Sequence, residues 1–513
     1  MPNQITDNTP ILVGAGQSVD RLTDNAQPPF SSPIALASAA SRHVLNETGI
    51  PAQALDTIAV IRTFADAAPA WQAPLGSSNN PPESVARRLG AEPSHRIYSN
   101  AGGTEPMALL AEMCQEIARG AKRAVLLTGA EAIANERYAK RHDLKDDWHE
   151  RFDAPLDARE YKARFASAQE IRSGMFLPAH YYALIENAQA DALNHTLSEH
   201  QRYMGEMFAP FSDVAAANPL SQNPKAFTAE ELALPTTRNY PISLPYTKWL
   251  IAQDAVNQGA ALVVTSVGYA RELGIDPARW IFLRGYAAGM DIPLSQRADP
   301  GTSATMKSVL NAALDRGECK IADVDMIDIY SCFPCAVHAA CDALKLPTDG
   351  SIPLTVTGGL PYFGGPGNNY TMHALAEMVD RLQADSKQKT ALVTGNGGIL
   401  SKHAALLLTN NPQTTQHIDW LGDAPKALDA TARSAVPYAD NPTRGEVISY
   451  TVIVGRNAPD TSVVLAKTAA GERFLATSKD EAVASSLRLH SPVGRQIGVT
   501  TEDEAHTFSL AAH

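Results

Sequence analysis

Short apolar runs that end in glycine recur along the chain and predict buried strands followed by turns. The clearest are "ILVGAG" near the N-terminus, "RAVLLTGAEA" at 123–132 and "TALVTGNGG" at 390–398. Between such runs, apolar residues recur at helical spacing, as in the series Met107, Leu110, Cys114 and Ile117, which predicts one buried helix face. Alternating strands and helices indicate an α/β fold, and Cys114 is expected in its core rather than as a reactive thiol.

An internal repeat is the most informative feature of the pattern. "MALLAEM" at 107–113 matches "MHALAEM" at 372–378, and similar strands, "VLLTGAEA" and "ALVTGNGG", follow the two copies. Each copy is also preceded by a glycine-rich turn, "SNAGGTEP" or "FGGPGNNY". A period of about 265 residues is too long for a solenoid, so the repeat predicts two similar α/β halves.

Three further segments depart from this pattern. Residues 133–250 are rich in charge, histidine and aromatic residues and are predicted to form a mostly helical insertion in the first half. A polar, proline-containing stretch at about 413–440 is predicted to be a linker, and five short β-like runs after it predict a small β-barrel. The predicted divisions are therefore 1–265, 266–412, 413–440 and 441–513.

Composition narrows the functional classes. The 513-residue chain is 44% hydrophobic and 19% charged, as in an ordinary globular protein. Its formal net charge of −12 argues against a nucleic-acid or anionic-membrane binder. It shows no signal-peptide pattern and no apolar run long enough to span a membrane. Five cysteines, mostly clustered, do not suggest a disulfide framework, so we expect a reducing, cytoplasmic setting.

The order of the glycine-rich turns resembles the thiolase superfamily, and the sterol-carrier-type thiolases in particular, over about residues 8–412. The resemblance rests on "SNAGGT", "GAEA", "DIYSCFPCAVHAA", "TGGLPYFGGPGNN" and "TGNGG". It implies a duplicated α/β fold of two five-stranded sheets, a homodimer, and coenzyme A thioesters as substrates, with no further cofactor. The tail resembles the OB-fold module found with some thiolase-like proteins and is a candidate surface for a protein partner.

The resemblance also indicates which catalytic groups are replaced. The nucleophilic cysteine of active thiolases falls on Asn100, and the histidine of their Gly-His-Pro turn falls on Gly365. Both positions lie seven residues before the repeat, at Met107 and Met372, so they are equivalent in the two halves. Asn100 cannot form a thioester. Two interpretations of it stay open, a hydrogen-bond donor to a substrate carbonyl or a simple helix cap.

The segment "YSCF" resembles the His-Asp-Cys-Phe motif of sterol-carrier-type thiolases. By that resemblance Cys332 is the acid/base near the substrate α-carbon and Tyr330 takes the oxyanion position. A thiol pKa of about 8.5 suits proton transfer at neutral pH if the site lowers it modestly. The alternative is that Cys332 is only a buried small hydrophobe.

Other candidates are weaker. His373 and His403 are either replacement bases or ordinary packed histidines. The turns of the resemblance carry the candidate substrate-binding residues Gly365, Asn369, Gly397 and Gly398, and Thr394 lies near the position of a second family cysteine. A zinc site is not expected from Cys332, Cys335, His338 and Cys341, because no second Cys-x₂-Cys pair exists.

These observations predict a thiolase-like acyl-CoA-binding protein, nominally an acetyl-CoA acetyltransferase-like acyltransferase, that acts on carbon–carbon bonds beside the thioester. The first alternative is a retro-aldolase-type lyase using tyrosines, for which Tyr330, Tyr362 and Tyr370 are available. The second is a non-catalytic acyl-CoA-binding or scaffold protein.

Overall fold

The computed structural model describes residues 5–67, 73–159, 166–415 and 435–510. Its strands, numbered in chain order, are β1 Pro10–Val19, β2 Thr57–Val60, β3 His95–Tyr98, β4 Ala124–Ala132, β5 Asp157–Ala158, β6 Pro241–Ser243, β7 Tyr246–Thr247, β8 Asn257–Ser266, β9 Phe282–Met290, β10 Met326–Asp328, β11 Thr390–Gly397, β12 Lys402–Thr409, β13 Arg444–Ile453, β14 Thr461–Lys467, β15 Arg473–Ser478, β16 Gln496–Glu502 and β17 Ala505–Leu510.

The α-helices are α1 Pro33–Thr48, α2 Pro81–Leu89, α3 Glu105–Ala118, α4 Ile133–Arg141, α5 Ala168–Arg172, α6 Pro178–Ala192, α7 Leu197–Ala217, α8 Ala229–Ala233, α9 Val267–Glu272, α10 Ala304–Arg316, α11 Pro334–Leu344, α12 Tyr370–Ala384 and α13 Glu481–Leu489. No helix within the four described ranges is long and apolar enough to cross a bilayer.

Two sheets with the same internal order confirm the duplicated α/β fold. In the first half β2 is parallel to β4, and β4 is followed outward by antiparallel β8 and β1. In the second half β10 is parallel to β11, followed by antiparallel β12 and β9. Leu12 and Ile281 exchange backbone hydrogen bonds of 2.8 and 2.9 Å, so the outer strands of the two sheets meet.

The sheets contain six and four strands rather than five each. The first sheet gains the two-residue strand β5 beside β3. In the second, the chain beside β10 forms a single backbone bond, from Ile329 N–H to the Leu354 carbonyl at 2.9 Å. The buried Asp328 carboxylate accepts the N–H groups of Val356 and Thr357 instead, so side-chain bonding replaces a strand ladder there.

The helices α3 and α12 lie in the core with the sheets. Met107, Leu110, Cys114 and Ile117, the predicted apolar face of α3, are all fully buried. Burial also raises the pKa of the Cys114 thiol, which confirms that this cysteine belongs to the core.

The chain between β4 and β8 carries α4 to α8 and the short strands β5, β6 and β7. Its helix α6 makes hydrogen bonds to the C-terminal part. Asn187 of α6 donates to the carbonyl of Tyr450 at 2.8 Å, and Ser449 donates to the carbonyl of Leu184 at 2.5 Å. The insertion and strand β13 are therefore packed against one another.

The C-terminal strands form a small closed barrel, as the sequence predicted. The strands pair in the order β14, β15, β17, β16 and β13, and β13 pairs again with β14. Five strands closed in this way have the architecture of an OB-fold. Residues 416–434 of the predicted linker lie outside the described residues.

Candidate functional site

The glycine-rich turns that open α3 and α12 meet in the interior. The N–H of Gly102 donates to Asn368 Oδ1 at 2.8 Å, and Thr371 donates to the carbonyl of Gly103 at 2.7 Å. Gly102 has a φ of +138° and Gly367 one of +52°, which a side chain would strain. The equivalent turns of the two halves, which carry Asn100 and Gly365, therefore lie next to each other.

The C-terminal end of strand β11 packs against the first of these turns. A Cβ at Gly103 would lie 2.5 Å from both the carbonyl oxygen of Asn396 and the hydroxyl of Tyr330. A Cβ at Gly397 would lie 3.3 Å from the backbone nitrogen of Gly103. The Tyr330 hydroxyl and the end of β11 at Asn396 and Gly397 are thus in contact with the segment that begins at Asn100.

Cys332 lies in a hydrogen-bonded group that we call the Cys332 cluster, made of Cys332, Tyr182 and Asn396. Asn396 Nδ2 is 3.5 Å from Cys332 Sγ and 2.9 Å from the Tyr182 hydroxyl, so one amide group contacts both side chains. The ring of Tyr182 stacks on Phe333 at 4.1 Å. All of these side chains are at most 8% exposed.

The sequence did not identify Tyr182 or Asn396 as site residues. Tyr182 stands in "HYYALIEN" of the insertion, whose aromatic residues at helical spacing predict only a packed helix. Asn396 is the polar residue within "TGNGG", a weak signal because asparagine is common in glycine-rich turns.

The site does not lower the pKa of Cys332, the condition under which this thiol would act as a base at neutral pH. Burial raises the pKa of this thiol to about 12, and the hydrogen bonds from Tyr182 and Asn396 offset that effect only in part. A thiol in this environment is protonated at neutral pH. It can donate a proton, and it becomes a base only after that donation.

A carboxylate and an amine accompany Asn100 at the start of α3. The half-buried Glu105 bonds to the Asn100 side chain, and burial raises the pKa of its carboxyl. Lys402 donates to the carbonyl of Ala101 at 2.7 Å, and burial lowers its pKa to about 8. Asn100 therefore lies in a polar, ionisable environment. No pattern in the sequence singles out either charged residue.

Gly365 is in backbone contact with residues 252–253, which lie between β7 and β8. Its N–H donates to the carbonyl of Gln253 at 2.8 Å, and Ala252 N–H donates to the carbonyl of Cys332 at 2.9 Å. A Cβ at Gly365 would be 3.3 Å from the Gln253 oxygen. The chain at 252–253 thus lies close to where a side chain at 365 would begin.

The side chains of Asn369, Tyr370 and Tyr362 pack against neighbouring core residues. Asn369 donates to the carbonyl of Gly129 in β4 at 2.7 Å, whereas its neighbour Asn368 bonds across the turns. Tyr370 donates to Asp328 at 3.0 Å, and its ring meets that of Tyr330 edge-on. Tyr362 is fully buried beside Phe227 and Phe208.

The two candidate histidines are both buried, in different places. His373 Nδ1 is 2.7 Å from Gln17 Oε1 of β1. His403 Nε2 is 2.9 Å from Ser303 Oγ, and the residue lines a cavity of about 10 Å³ together with Tyr330 and Asn396. That volume accommodates about one water molecule. Burial lowers the pKa of each histidine to about 3, so both are neutral at physiological pH.

We expect the folded protein to lose stability in acid because of these two histidines. Their pKa is lower in the folded chain than in the unfolded one, so the unfolded state binds protons first as the pH falls below about 6.5. Between pH 7 and 5 each should remove about 2 kcal/mol from the free energy of unfolding. We expect His373→Gln to reduce that loss in urea unfolding by about 2 kcal/mol, while the exposed His43→Gln leaves it unchanged. An equal pH dependence of His373→Gln and the parent protein would contradict this.

The spacing of Cys332 and Cys335 does not produce a metal site. Cys335 contacts Tyr246, and His338 Nδ1 lies 2.7 Å from the Tyr203 hydroxyl. In the part of the chain that the structure describes, no group of three or more His, Cys, Asp or Glu residues could hold a metal ion.

Comparison with solved structures places this geometry among known folds. The chain is 33% identical to a monomeric SCP2-thiolase-like protein type 1 from Mycobacterium smegmatis, over 99% of this chain and 100% of that one, with a TM-score of 0.83. An Ltp2–ChsH2(DUF35) aldolase is 17% identical, with a TM-score of 0.57 over 78% of this chain and 97% of its own.

Human mitochondrial 3-ketoacyl-CoA thiolase is 14% identical, with a TM-score of 0.53 over 78% of this chain and 98% of its own. The likeness to the aldolase and to this thiolase shows the fold alone. No protein-family model and no curated protein sequence gives a match.

Proposed function

The chain belongs to the SCP2-thiolase-like proteins of the thiolase superfamily, and from that premise we propose that it binds an acyl-CoA at the Cys332 cluster. We further propose that it catalyses proton transfer at the carbon beside the thioester carbonyl, without an acyl-enzyme intermediate. The observation that carries the proposal is the contact between the Cys332 cluster and the Asn100 turn through Asn396 and Tyr330.

Each residue of this site has a chemical task in the proposal. A carbanion beside a thioester is stabilised as an enolate when donors face its oxygen. Asn100 and Tyr330 carry such donors in their amide and phenol groups. Cys332, protonated because burial raises its pKa, supplies the proton to the α-carbon.

The protonated thiol favours the lyase alternative over acyl transfer. Acyl transfer by a ping-pong route needs a nucleophile at the turn, and residues 99–104 contain no cysteine. Retro-aldol cleavage needs no nucleophile on the protein. A base removes the proton of a β-hydroxyl group, the carbon–carbon bond breaks, and the enolate takes a proton from the thiol of Cys332. Release of a carbonyl compound from a panel of β-hydroxyacyl-CoAs, without release from β-ketoacyl-CoAs, would support this class.

The first test of the proposal is binding without acylation. We expect calorimetry to detect binding of CoA or acetyl-CoA at up to millimolar concentration, because the fold is that of CoA-dependent enzymes. Intact mass spectrometry after incubation with acetyl-CoA should show an unmodified mass, because Asn100 cannot form a thioester. An acetyl adduct on a cysteine would refute the mechanism. If the folded protein bound neither compound, the proposal that its ligand is an acyl-CoA would be refuted. Binding without turnover would indicate the non-catalytic alternative.

The assembly and location of the protein remain proposals. A homodimer was expected from the superfamily, whereas the similar M. smegmatis protein is described as monomeric. Light scattering in solution distinguishes the two states. A cytoplasmic location agrees with five cysteines that are all free, and the C-terminal barrel is proposed as the surface for a protein partner.

A further inference from the structure

We infer that Tyr182, on helix α6 of the insertion, is a positioning residue for Cys332. When Cys332 gives up its proton, the Tyr182 hydroxyl donates a hydrogen bond to the resulting thiolate and so makes the thiol a more effective proton donor. This inference deepens the proposed function and rests on it for its catalytic meaning. Its structural content, a phenol that controls one thiol, can be tested without any substrate.

The bonds around the Tyr182 hydroxyl determine where its proton points. The oxygen accepts Asn396 Nδ2–H at 2.9 Å and the backbone N–H of Leu400 at 2.9 Å. Both lone pairs are then used, so the O–H proton is left to donate. Two acceptors lie near that proton, the carbonyl of Gly398 at 3.5 Å, which is long for an O–H donor, and Cys332 Sγ. Asn396 Nδ2 contacts both the Tyr182 oxygen and Cys332 Sγ, so the sulfur lies beside the hydroxyl.

Such a donor favours the charged form of the sulfur. The two N–H groups polarise the phenol, and in a dry interior a polarised O–H binds a thiolate more strongly than a thiol. Losing a proton to the substrate carbon therefore costs Cys332 less when Tyr182 is present. Without the tyrosine, the only other side-chain donor to this sulfur among the described residues is Asn396 at 3.5 Å.

Helix α6 is held so that this contact persists. One turn beyond Tyr182, Glu186 accepts the N–H of Cys335 at 2.8 Å, and Gln189 donates to the carbonyl of Cys335 at 3.1 Å. Both bonds join α6 to the first turn of α11, which begins two residues after Cys332. These bonds hold helix α6 of the insertion against helix α11 of the second half, next to Cys332.

The test measures the thiol directly. Alkylation of Cys332 by iodoacetamide, followed on its peptide by mass spectrometry between pH 7.5 and 9.5, reports the thiolate fraction. We expect Tyr182→Phe to slow alkylation about tenfold at every pH, which corresponds to a rise of about one unit in the thiol pKa. The ionisable groups that face Cys332 and Tyr182 in this range are Tyr330, Cys335 and Arg297. All three are retained in the variant, so they affect both proteins alike.

The neighbouring tyrosine provides a matched control. The Tyr181 hydroxyl donates to the carbonyl of Met175 at 2.6 Å, so Tyr181→Phe should alkylate at the parent rate within about twofold. A merely structural role for Tyr182 predicts the opposite sign, because a loosened site exposes the thiol and speeds alkylation. An unchanged or faster rate in Tyr182→Phe would overturn the inference.

A second substitution guards against misfolding. A ring-fluorinated tyrosine at position 182 keeps the shape of the side chain and is a stronger hydrogen-bond donor, so it should accelerate alkylation. An unchanged or slower rate would refute the inference even where Tyr182→Phe does not fold. In turnover assays, Tyr182→Phe should lower kcat at least tenfold with KM nearly unchanged. If the parent protein turned over no acyl-CoA, the proposed function would be refuted, whereas the alkylation rates would still test the effect of Tyr182 on the thiol.

Discussion

Replacing Cys332 with alanine is expected to reduce α-proton exchange of a bound acyl-CoA by about 10²- to 10⁴-fold, the usual contribution of a positioned acid or base. The thiol lies beside Asn396 and Tyr182 and is the group placed to move that proton. For exchange it first loses its own proton to solvent; the thiolate then takes the α-proton, and the thiol, after exchange with the solvent, returns a deuteron to the carbon. Binding of the acyl-CoA should stay nearly constant, because the thiol acts in the transition state more than in the ground state. Proton NMR in deuterium oxide measures the exchange, and calorimetry measures the binding.

A second cysteine serves as the control for this experiment. Cys319 follows α10 and contacts the carbonyl of Lys320, so Cys319→Ala should exchange at the parent rate. Unchanged exchange in Cys332→Ala would assign the acid/base role elsewhere, with Glu105 and Lys402 at the Asn100 turn next in line. His373 and His403, the candidates from the sequence, would follow; burial lowers the pKa of each to about 3, so both are weak bases, and His373 faces β1.

Replacing Glu186 with alanine is expected to destabilise the folded protein by about 3–5 kcal/mol, because several buried donors would lose the acceptor they share. The fully buried carboxylate accepts three hydrogen bonds, from Cys335 N–H at 2.8 Å, Tyr246 O–H at 2.6 Å and His200 Nε2 at 2.7 Å. His200 and Tyr246 are buried as well. Alanine would leave the Cys335 N–H and His200 Nε2 without this acceptor, and each such group costs free energy. The Tyr246 hydroxyl would lose its shortest bond and keep only the Tyr182 carbonyl at 3.2 Å and Cys335 Sγ at 3.3 Å.

Urea unfolding followed by circular dichroism checks the prediction. Asp191 lies on the same helix and is exposed, so Asp191→Ala should change the free energy of unfolding by no more than about 0.5 kcal/mol. Similar unfolding midpoints for the two variants would show that the network around Glu186 does not support the joint between α6 and α11.

The repeat in the sequence was sufficient to predict the relation between the halves. Asn100 and Gly365 each precede a matching methionine by seven residues, and the structure joins their turns through Gly102 and Asn368. This inference succeeded because strand, turn and helix signals are local, and the same local pattern folds in the same way twice. The strand counts of the two sheets were less predictable, since Asp328 replaces part of a ladder with side-chain bonds.

The candidate site was predictable only in part. Tyr330 and Cys332 were identified from their motif. The structure places Tyr330 against Gly103 of the Asn100 turn. It places Cys332 beside Asn396, which contacts the same turn. Asn369 and Asn368 could not be distinguished from the sequence, because which of two adjacent side chains faces the partner turn depends on the rotation of a single helical turn.

What the sequence by itself determined is the fold: two α/β halves with equivalent turns, an insertion between two strands of the first, and a closed barrel at the end. What only the tertiary structure decided is the chemical state of the site. Tyr182 and Asn396 meet across 214 residues of sequence, and no local pattern encodes that contact. The pKa of Cys332 depends on burial and on those two neighbours, since the free energy of a charge is set by the dielectric and hydrogen bonds around it rather than by adjacent residues in the chain.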